Sequence, residues 1–410
     1  MRPALLCIVV MFLALAGASG SPLLQRMVTN PVPSSTMRQD TIVVRAPAQG
    51  RWGTDVRLVE DLRIGVLEGE PEYMFGRVGD LAVGRDGSIY VVDRSVPEIR
   101  QYDAEGQFVR RIGAEGQGPG EYGLIEGIEV LPDGRLAIWD PRHRRLTVYS
   151  ADGRYQDSWL VPSGLHGSRT FGIDHAGHYY VMKTFFDEDQ PPQEDKVWPK
   201  GFLKVASGGA VLDTIPLPSN PGDGFVLYGS EGPMYNFAQR FRYAWSPLGY
   251  LVAGHNRTYS FDLLRPDEPV LRIVRDAEPV RLKAEERDQW RAWGAYFSKR
   301  SGKTYSLPST KPAFRDIYVG DEGRIWVDRY AEAVRREPRP RDDDRPERLP
   351  LTWRQPRTFD VFEPDGVFLG TVIGPPETWL VRWRGEYVWG VERGPSDEPY
   401  VVRFRIVTAE

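Results

Sequence analysis

The residues that could carry chemistry in this sequence recur at one position of a repeated pattern. Six apolar runs, each preceded by a turn with glycine, end at Asp93, Asp140, Lys183, His255, Asp328 and Val391. Within two residues an arginine follows five of them, at Arg94, Arg142, Arg257, Arg329 and Arg393. Guanidinium groups are planar, always charged and suited to carboxylate, sulfate or phosphate. A partial ring of cations around one mouth would bind an anion through Arg94, Arg142, Lys183, His255, Arg257, Arg329 and Arg393.

A structural interpretation of the same pattern stays open. Each aspartate could cap the turn that follows it, and each arginine could pair with a neighbouring acid. The sequence contains no Gly-x-Ser-x-Gly motif and no phosphate-binding loop, and its one cysteine, Cys7, lies in the N-terminal apolar run. Because nothing is arranged like a reaction centre, the sequence favours a binding module without a cofactor over an enzyme.

Short strands position these residues. Between Gly79 and Tyr122, four apolar runs are separated by turns at Gly87 and Gly106 and by a looser loop. Glycine supplies the positive φ that tight hairpins require, and four antiparallel strands in about 45 residues predict one propeller blade. The first turn recurs in six copies, at Gly87, Gly134, Gly177, Gly249, Gly323 and Gly385. We therefore predict an all-β protein with six blades.

The last of these blades lacks one strand at the C-terminal end of the sequence. Residues 56–64 and the loop that follows them resemble the outer strand and exit loop of a blade, seen at 108–122, but no inner strands precede them. We therefore expect this N-terminal strand to complete the last blade and close the ring. The predicted organisation is a signal peptide at 1–20, a linker at 21–51 with one short strand, and a propeller at 52–410. The propeller carries a helical insertion at about 281–300 and a polar loop rich in Arg, Asp and Pro at about 331–356.

Several of these runs resemble a known family. They are SIYVVD and RLAIWD, the segments IRQYDAEGQFVRRIG and LTVYSADGRYQDSW, and the loop GQGPGEY at 116–122. Together they resemble the NHL-repeat and related six-bladed propellers of exported bacterial proteins, over about residues 56–407 and most strongly in the first two blades. The resemblance implies the fold and an exported protein, and it leaves the function open.

Metal-dependent enzymes occur among propellers similar to this family, which include calcium-dependent lactonases and zinc lyases. The resemblance therefore implies an alternative: a hydrolase or lyase with calcium or zinc in the central channel. Oxygen ligands for calcium would come from Asp93, Asp140, Asn256 and Asp328. The histidines are less suited to zinc, because His175 and His178 flank a hairpin turn on the face opposite the long loops. Spacing alone does not separate such ligands from structural aspartates of the repeat.

The long insertions fall on one face of the predicted disc. In each blade the first and third turns lie on one face, here called the turn face. The loops from strand two to strand three and the loops to the next blade lie on the opposite, long-loop face. All four insertions belong to the long-loop face, at 183–200, 216–239, 276–313 and 330–356. Binding residues concentrate on loops of a rigid scaffold, so we place the site there. The 281–300 helix, with Leu282, Trp290, Trp293 and Phe297, would serve as a packed cap or as a mobile lid.

The composition and the N-terminal sequence limit the class of protein to which this chain belongs. Residues 1–20 run from a charge through an apolar stretch to small residues, which predicts a secretory signal peptide and a periplasmic or secreted protein. No later stretch is long enough to span a membrane. A formal net charge of −4 gives no reason to expect nucleic acid as a partner. The sequence thus predicts an exported module that binds a small molecule, a glycan or a protein.

Overall fold

Six blades of four antiparallel strands, one of them extended by a fifth, parallel strand, are the main elements of the computed structural model, which describes residues 40–161, 171–185, 200–218, 237–302, 307–337 and 352–408. Blade 1 contains Val78–Val83, Ile89–Asp93, Glu98–Tyr102 and Phe108–Ile112. Blade 2 contains Gly127–Val130, Leu136–Asp140, Arg145–Tyr149 and Tyr155–Leu160. Blade 3 contains Phe171–Ile173, Tyr179–Thr184, Lys200–Val205 and Val211–Pro216. The predicted signal peptide lies outside the described residues.

The remaining three blades repeat the same order of strands. Blade 4 contains Phe241–Ser246, Tyr250–His255, Ser260–Leu264 and Val270–Val274. Blade 5 contains Phe314–Val319, Ile325–Arg329, Thr358–Phe362 and Phe368–Ile373. Blade 6 contains Thr378–Arg384, Tyr387–Arg393, Pro399–Val407 and, from the N-terminal side, Arg57–Ile64. The prediction of an all-β, six-bladed propeller is confirmed.

Glycine at positive φ forms the predicted turn between the first two strands of every blade. The φ angles of Gly87, Gly134, Gly177, Gly249, Gly323 and Gly385 lie between 57° and 90°. Side chains with a Cβ rarely adopt this conformation, which explains why glycine recurs at this place. In the third turn of blade 4 the position is taken by Asp267 instead, with φ 59°. Aspartate tolerates the left-handed region better than most residues, so this turn forms without the glycine signal.

The ring closes through the predicted N-terminal strand. Arg57–Ile64 pairs antiparallel with Pro399–Val407, with Arg57 opposite Val407 and Ile64 opposite Val401. This pairing supplies the fourth strand of blade 6 from the opposite end of the chain, as expected. Closure covers a strand edge that would otherwise be exposed to pairing with other chains.

The segment before this strand contacts two further blades. Thr41–Arg45 forms a fifth, outermost strand of blade 4, parallel to Val270–Val274. Farther along, the amide of Trp52 donates to the carbonyl of Leu369 in blade 5 at 2.7 Å. The N-terminal segment therefore passes along the outer edges of blades 4, 5 and 6 in turn. The sequence predicted a short strand here without its partner.

Apolar side chains between neighbouring blades form the core. Second strands such as Ile89–Asp93 and Leu136–Asp140 are buried along their whole length, because each blade is covered on both faces. Large rings fill the wedge between blades, including the fully buried Trp139, Tyr179 and Trp326. The strands around the channel are thus rigidly held, which fixes the side chains that point into it.

Helix α1, Ala284–Ser301, covers part of the long-loop face and confirms the predicted helical insertion. Leu282, Trp290 and Trp293 are buried against Phe237 and Tyr330. Beneath the helix, Lys311 Nζ lies 3.0 Å from Glu286 Oε1, and both side chains are fully buried. This packing is that of a cap rather than a loosely held lid. None of the described helices is long and apolar enough to cross a bilayer.

Smaller elements complete the described structure. A 3₁₀ turn spans Pro71–Tyr73, a parallel pair joins Ala114–Glu115 to Glu121–Tyr122, and an antiparallel pair joins Val334–Arg335 to Trp353–Arg354. The last pair lies at the base of the polar insertion in blade 5. It places the arginines that flank that insertion on the long-loop face.

Candidate functional site

Three of the four predicted metal ligands bind backbone amides at the ends of their strands. Asp93 accepts hydrogen bonds from the amides of Gly76 and Arg77, at 2.9 and 3.0 Å. In blade 2 the equivalent Asp140 accepts from the amide of Gly123 at 2.7 Å. Asn256 accepts from the amide of Arg240 at 2.8 Å. Each side chain fastens the end of the second strand to the segment that leads into the first strand.

Asp328 has a different environment. Its buried carboxylate lies between two guanidinium groups, with Arg315 Nη1 at 3.2 Å and Arg357 Nη2 at 3.0 Å. The structure leaves Asp93, Asp140, Asn256 and Asp328 in separate blades, each with its own partners. Among the described residues no three His, Cys, Asp or Glu side chains are grouped so as to hold a metal ion.

The predicted cations spread over several places. Arg329 lies between blades 4 and 5, where its Nε is 3.4 Å from Asp360 Oδ1, away from the channel. Arg94 packs over Gly79 and pairs with Glu126 at 3.5 Å. Arg257 donates to the side chain of Gln239. These three residues are therefore not brought together around one cavity.

The other predicted cations differ in their contacts too. Arg142 is exposed beside Gly123, and the ammonium of Lys183 lies 5.8 Å from the ring centre of Phe185. The ring of His255 meets the edge of the Phe241 ring. Arg393 is the member of the predicted set that lines the cavity described next.

A cavity of about 320 Å³ on the long-loop face, here called the arginine cavity, is lined by Arg336, Arg354, Arg357 and Arg393. Glu377 is the one acidic residue among the described residues of the lining. Arg336, Arg354 and Arg357 lie at the base of the polar insertion, and Arg393 ends the second strand of blade 6. Trp379, with 40% of its surface exposed, adds an apolar ring to the wall. The site combines a cationic wall with an aromatic one.

The arginine cavity and its ion pairs carry a surplus of positive charge. Arg336 lies 3.4 Å from Glu377, Arg393 lies 2.8 Å from Asp397, and Arg357 shares Asp328 with Arg315. Arg354 has no ion-pair partner among the described residues. Among the described residues, five guanidinium groups thus face three carboxylates, an excess of two positive charges. Such a surface attracts anions.

A different arginine crosses the central channel near the turn face. Arg382, on the first strand of blade 6, donates to Glu129 Oε1 of blade 2 at 2.6 Å. It also donates to the carbonyls of Ile128 and Leu81, at 2.7 and 2.5 Å. Asp80 Oδ1 lies 3.6 Å away. Arg382 therefore ties blade 6 to blades 1 and 2.

The acids around Arg382 titrate abnormally. Burial raises the pKa of Glu129 to about 7, although Arg382 opposes this shift. Burial also raises the pKa of Asp80 and of Asp321, against the effect of Arg382 and, for Asp321, of Arg384. Removing a carboxylate from water penalises its charged form, and here that cost exceeds the attraction of the arginines. Among these three acids, Glu129 is the one whose pKa is raised to near neutrality.

Two joined cavities surround these acids. A channel cavity of about 140 Å³ contains Asp80 and Arg382, and a turn-face cavity of about 350 Å³ opens below it. They share Glu129, Asp321 and Arg382. Trp379 lines both the channel cavity and the arginine cavity, so it separates the two ends of the channel.

Of the residues that line these two cavities, the sequence pattern pointed to His175, as a histidine poorly placed for zinc, and not to Asp80, Glu129 or Arg382. Asp80, Glu129 and Arg382 are charged residues inside first strands whose neighbours are mostly apolar. A charge in the innermost strand of a blade is the signal that could have identified them. Arg354 and Arg357 lay within or beside a polar insertion and carried no comparable signal.

Comparison with known proteins agrees with this architecture. A family model described as a 6-bladed beta-propeller, DUF5128, matches residues 57–196, that is 140 of 410 residues. A Caenorhabditis elegans protein, named as a peptidyl-alpha-hydroxyglycine alpha-amidating lyase, is 26% identical over 147 residues. That match covers 33% of this chain and 42% of the relative, so the chain spans less than half of the relative's length.

Solved structures resemble the chain over most of its length. A member of the duf4221 family from Bacteroides vulgatus has 14% identity and a TM-score of 0.54, covering 87% of this chain and 99% of that chain. Virginiamycin B lyase from Staphylococcus aureus has 8% identity and a TM-score of 0.41, covering 86% and 100%. At such identities the likeness to the first of these structures concerns the fold alone. The chain is a six-bladed β-propeller.

Proposed function

We propose that this chain is an exported binding module that takes an organic anion in the arginine cavity. The observation that carries the proposal is the wall of four arginines, beside one acid in the part of the lining that the structure describes. A carboxylate, sulfate or phosphate group could accept paired hydrogen bonds from such planar donors. Charge-assisted hydrogen bonds of this kind contribute about 1.5–3 kcal/mol each.

The scaffold holds part of this wall in place before a ligand arrives. The guanidinium of Arg357 contacts buried Asp328 and donates to the hydroxyl of Tyr318 at 2.8 Å. A preorganised donor loses little conformational entropy on binding. Beside it, the exposed ring of Trp379 offers an apolar contact to the body of the ligand, as aromatic rings do for sugars and other ring compounds.

Export is the second part of the proposal. It is supported by the order of charged, apolar and small residues at 1–20 and by the resemblance to propellers of exported bacterial proteins. Fractionation of cells that express the whole chain, followed by mass determination of the N-terminus, tests it. A cleaved chain in the periplasm or medium is expected, and a full-length chain in the cytoplasm would contradict export.

The binding test compares glucose 6-phosphate and glucuronate with uncharged glucose by isothermal titration calorimetry at low ionic strength. We expect the two anions to bind and glucose to bind at least about tenfold more weakly, a difference of 1.4 kcal/mol. Added salt should weaken the binding of both anions, because it screens their attraction to the arginines. Equal affinity for glucose, or no binding of either anion, would overturn the proposal.

A matched pair of variants locates the site. Arg354→Gln removes one positive charge from the cavity wall and should weaken the anions about tenfold. Arg154→Gln removes an arginine whose side chain is 85% exposed on the turn face and should leave their affinity unchanged. If both substitutions have the same effect, the binding is non-specific attraction to a charged surface.

A separate thermal melting experiment distinguishes the metal-dependent alternative. Melting temperatures are measured with EDTA and then with added calcium or zinc, because a metal that binds only the folded chain stabilises it by RT ln(1 + [L]/Kd). A metal-dependent rise would favour a hydrolase or lyase. Asp93, Asp140, Asn256 and Asp328 would then be the first residues to substitute.

A further inference from the structure

We propose a second binding site at the turn-face end of the central channel, which takes a small organic ammonium ion beside Asp80 and Glu129. This site lies on the far side of Trp379 from the arginine cavity and takes the opposite charge. The inference does not rest on the function proposed above, so either can fail alone.

The first observation is an unsatisfied carboxylate oxygen. Asp80 is 3% exposed and lines the channel cavity. Its Oδ1 accepts the amide of Leu81 at 2.9 Å, whereas its Oδ2 is buried and has no hydrogen-bond partner among the described residues. A buried charged acceptor without a donor is unfavourable. A ligand that brings an N–H donor or a positive charge would relieve that cost.

The second observation is the sign of the charge in the joined cavities. Five carboxylates line the channel and turn-face cavities, on Asp80, Glu129, Asp174, Asp321 and Glu322. Three guanidinium groups face them, on Arg85, Arg382 and Arg384, and His175 is the remaining titratable residue. With all five carboxylates ionised and His175 neutral, the described lining residues have an excess of two negative charges, which favours a cation.

The surroundings fit an organic cation better than a metal ion. Among the described residues no three acidic, His or Cys side chains are grouped to coordinate a metal, and the guanidinium of Arg382 already contacts both Asp80 and Glu129. Aromatic rings line the channel cavity, from Tyr243, Trp245, Tyr318, Trp379 and Trp383. Alkylammonium ions are attracted to such rings as well as to carboxylates. The volume of about 140 Å³ limits the ligand to a few heavy atoms.

Protons should compete with the ligand. The charged groups that face Glu129 are Arg382, Asp321 and Asp80, and burial raises the pKa of Glu129 to about 7. Glu129 is therefore largely ionised at pH 8 and largely protonated at pH 6. Because the ionised fraction falls about tenfold over that interval, affinity for a cation should fall by up to about tenfold.

The experiment titrates ethylammonium and tetramethylammonium chloride into the purified chain and follows tryptophan fluorescence, since three of the lining residues are tryptophans. Sodium chloride at equal ionic strength is the control for salt effects. We expect saturable binding of at least one ammonium ion, about tenfold tighter at pH 8 than at pH 6. A response no larger than that of sodium chloride would overturn the proposal.

Substitutions test the two acids separately. Asp80→Asn keeps the shape of the side chain and removes its charge, so it should weaken binding about tenfold or more. Glu129→Gln should remove the dependence on pH. The matched control is Asp152→Asn, a half-exposed acid at the rim of the turn face, which should bind like the wild type.

The melting curve of each variant shows whether it folds, and one folded variant is enough to test the site. Should Asp80→Asn unfold, the pH profile of Glu129→Gln decides the question alone. Wild-type affinity in Asp80→Asn, or an unchanged pH profile in Glu129→Gln, places the ammonium ion elsewhere and overturns the assignment.

Discussion

The two ends of the central channel hold arginines in opposite roles. On the long-loop face, four arginines line one cavity, with Glu377 as the acid among its described lining residues. Near the turn face, Arg382 is surrounded by acceptors from two other blades and stands among acids. The same side chain therefore contributes a binding surface at one end and a structural link at the other.

The two roles differ in how many guanidinium N–H donors are already bound to acceptors of the protein. Arg382 donates from Nε, Nη1 and Nη2 to three protein acceptors, so little of its capacity is left for a ligand. Arg354, in contrast, makes no ion pair among the described residues. The comparison teaches that an arginine near a propeller channel has to be judged by its acceptors and not by its position alone.

The largest effect on this comparison is expected from the substitution Arg382→Ala. About a fifth of the side chains of Arg382 and Glu129 is exposed, to the channel and turn-face cavities, so the pair behaves as a largely buried one. Removing one partner leaves Glu129 and Asp80 without their counter-charge and should lower the free energy of unfolding by about 3 kcal/mol. Urea denaturation followed by tryptophan fluorescence measures the change.

The control for this substitution is Arg154→Ala. Arg154 pairs with Asp152 at the exposed rim of blade 2, and such pairs add little to stability. Its denaturation midpoint should match the wild type. An equally unchanged midpoint for Arg382→Ala would mean that the link across the channel does not hold the ring together.

Much of the fold could be predicted because its signals are local. A turn that needs positive φ selects glycine, so Gly87 and its five counterparts marked every blade. The closing strand was found because residues 56–64 repeat the pattern of an outer strand. The third turn of blade 4 escaped because Asp267 replaces the glycine there.

The candidate site depends on contacts that no local pattern encodes. Arg382 and Glu129 are 253 residues apart and meet because blades 6 and 2 face one channel. Strand ends that are equivalent in sequence also meet different neighbours: Arg393 lines the arginine cavity, whereas Arg329 pairs with Asp360 between blades 4 and 5. The repeat identified equivalent positions without specifying what each side chain contacts.

A second, smaller effect is expected beneath the cap of the long-loop face. Lys311→Met removes the partner of buried Glu286, which also accepts a hydrogen bond from Gln355 of the arginine cavity. We expect helix α1 to lose about 2–3 kcal/mol of local stability, because an uncompensated carboxylate stays buried beneath it. Hydrogen exchange of residues 284–301 should accelerate more than that of the blades.

The double substitution Lys311→Met with Glu286→Leu is the control, since it removes both charges. Exchange in α1 should then recover most of the wild-type protection. Uniform acceleration across all blades in the single variant would show that the cap and the ring unfold as one unit. In that case the buried pair beneath the cap would stabilise the whole ring, as the Arg382 link does, and not α1 alone.

The last predicted effect is the dependence of stability on pH at the turn-face end. Burial raises the pKa of Glu129 from 4.5 to about 7 in the folded chain, so the folded state holds this proton more tightly than the unfolded state. The resulting stabilisation is complete below pH 4.5 and is lost as pH rises through 7. Between these limits the free energy of unfolding should fall by about 1 kcal/mol per pH unit. Urea titrations at pH 5, 6 and 7 measure the slope, and Glu129→Gln should flatten it. A slope that persists in Glu129→Gln would assign the proton to Asp80 or Asp321, whose pKa values are shifted in the same direction.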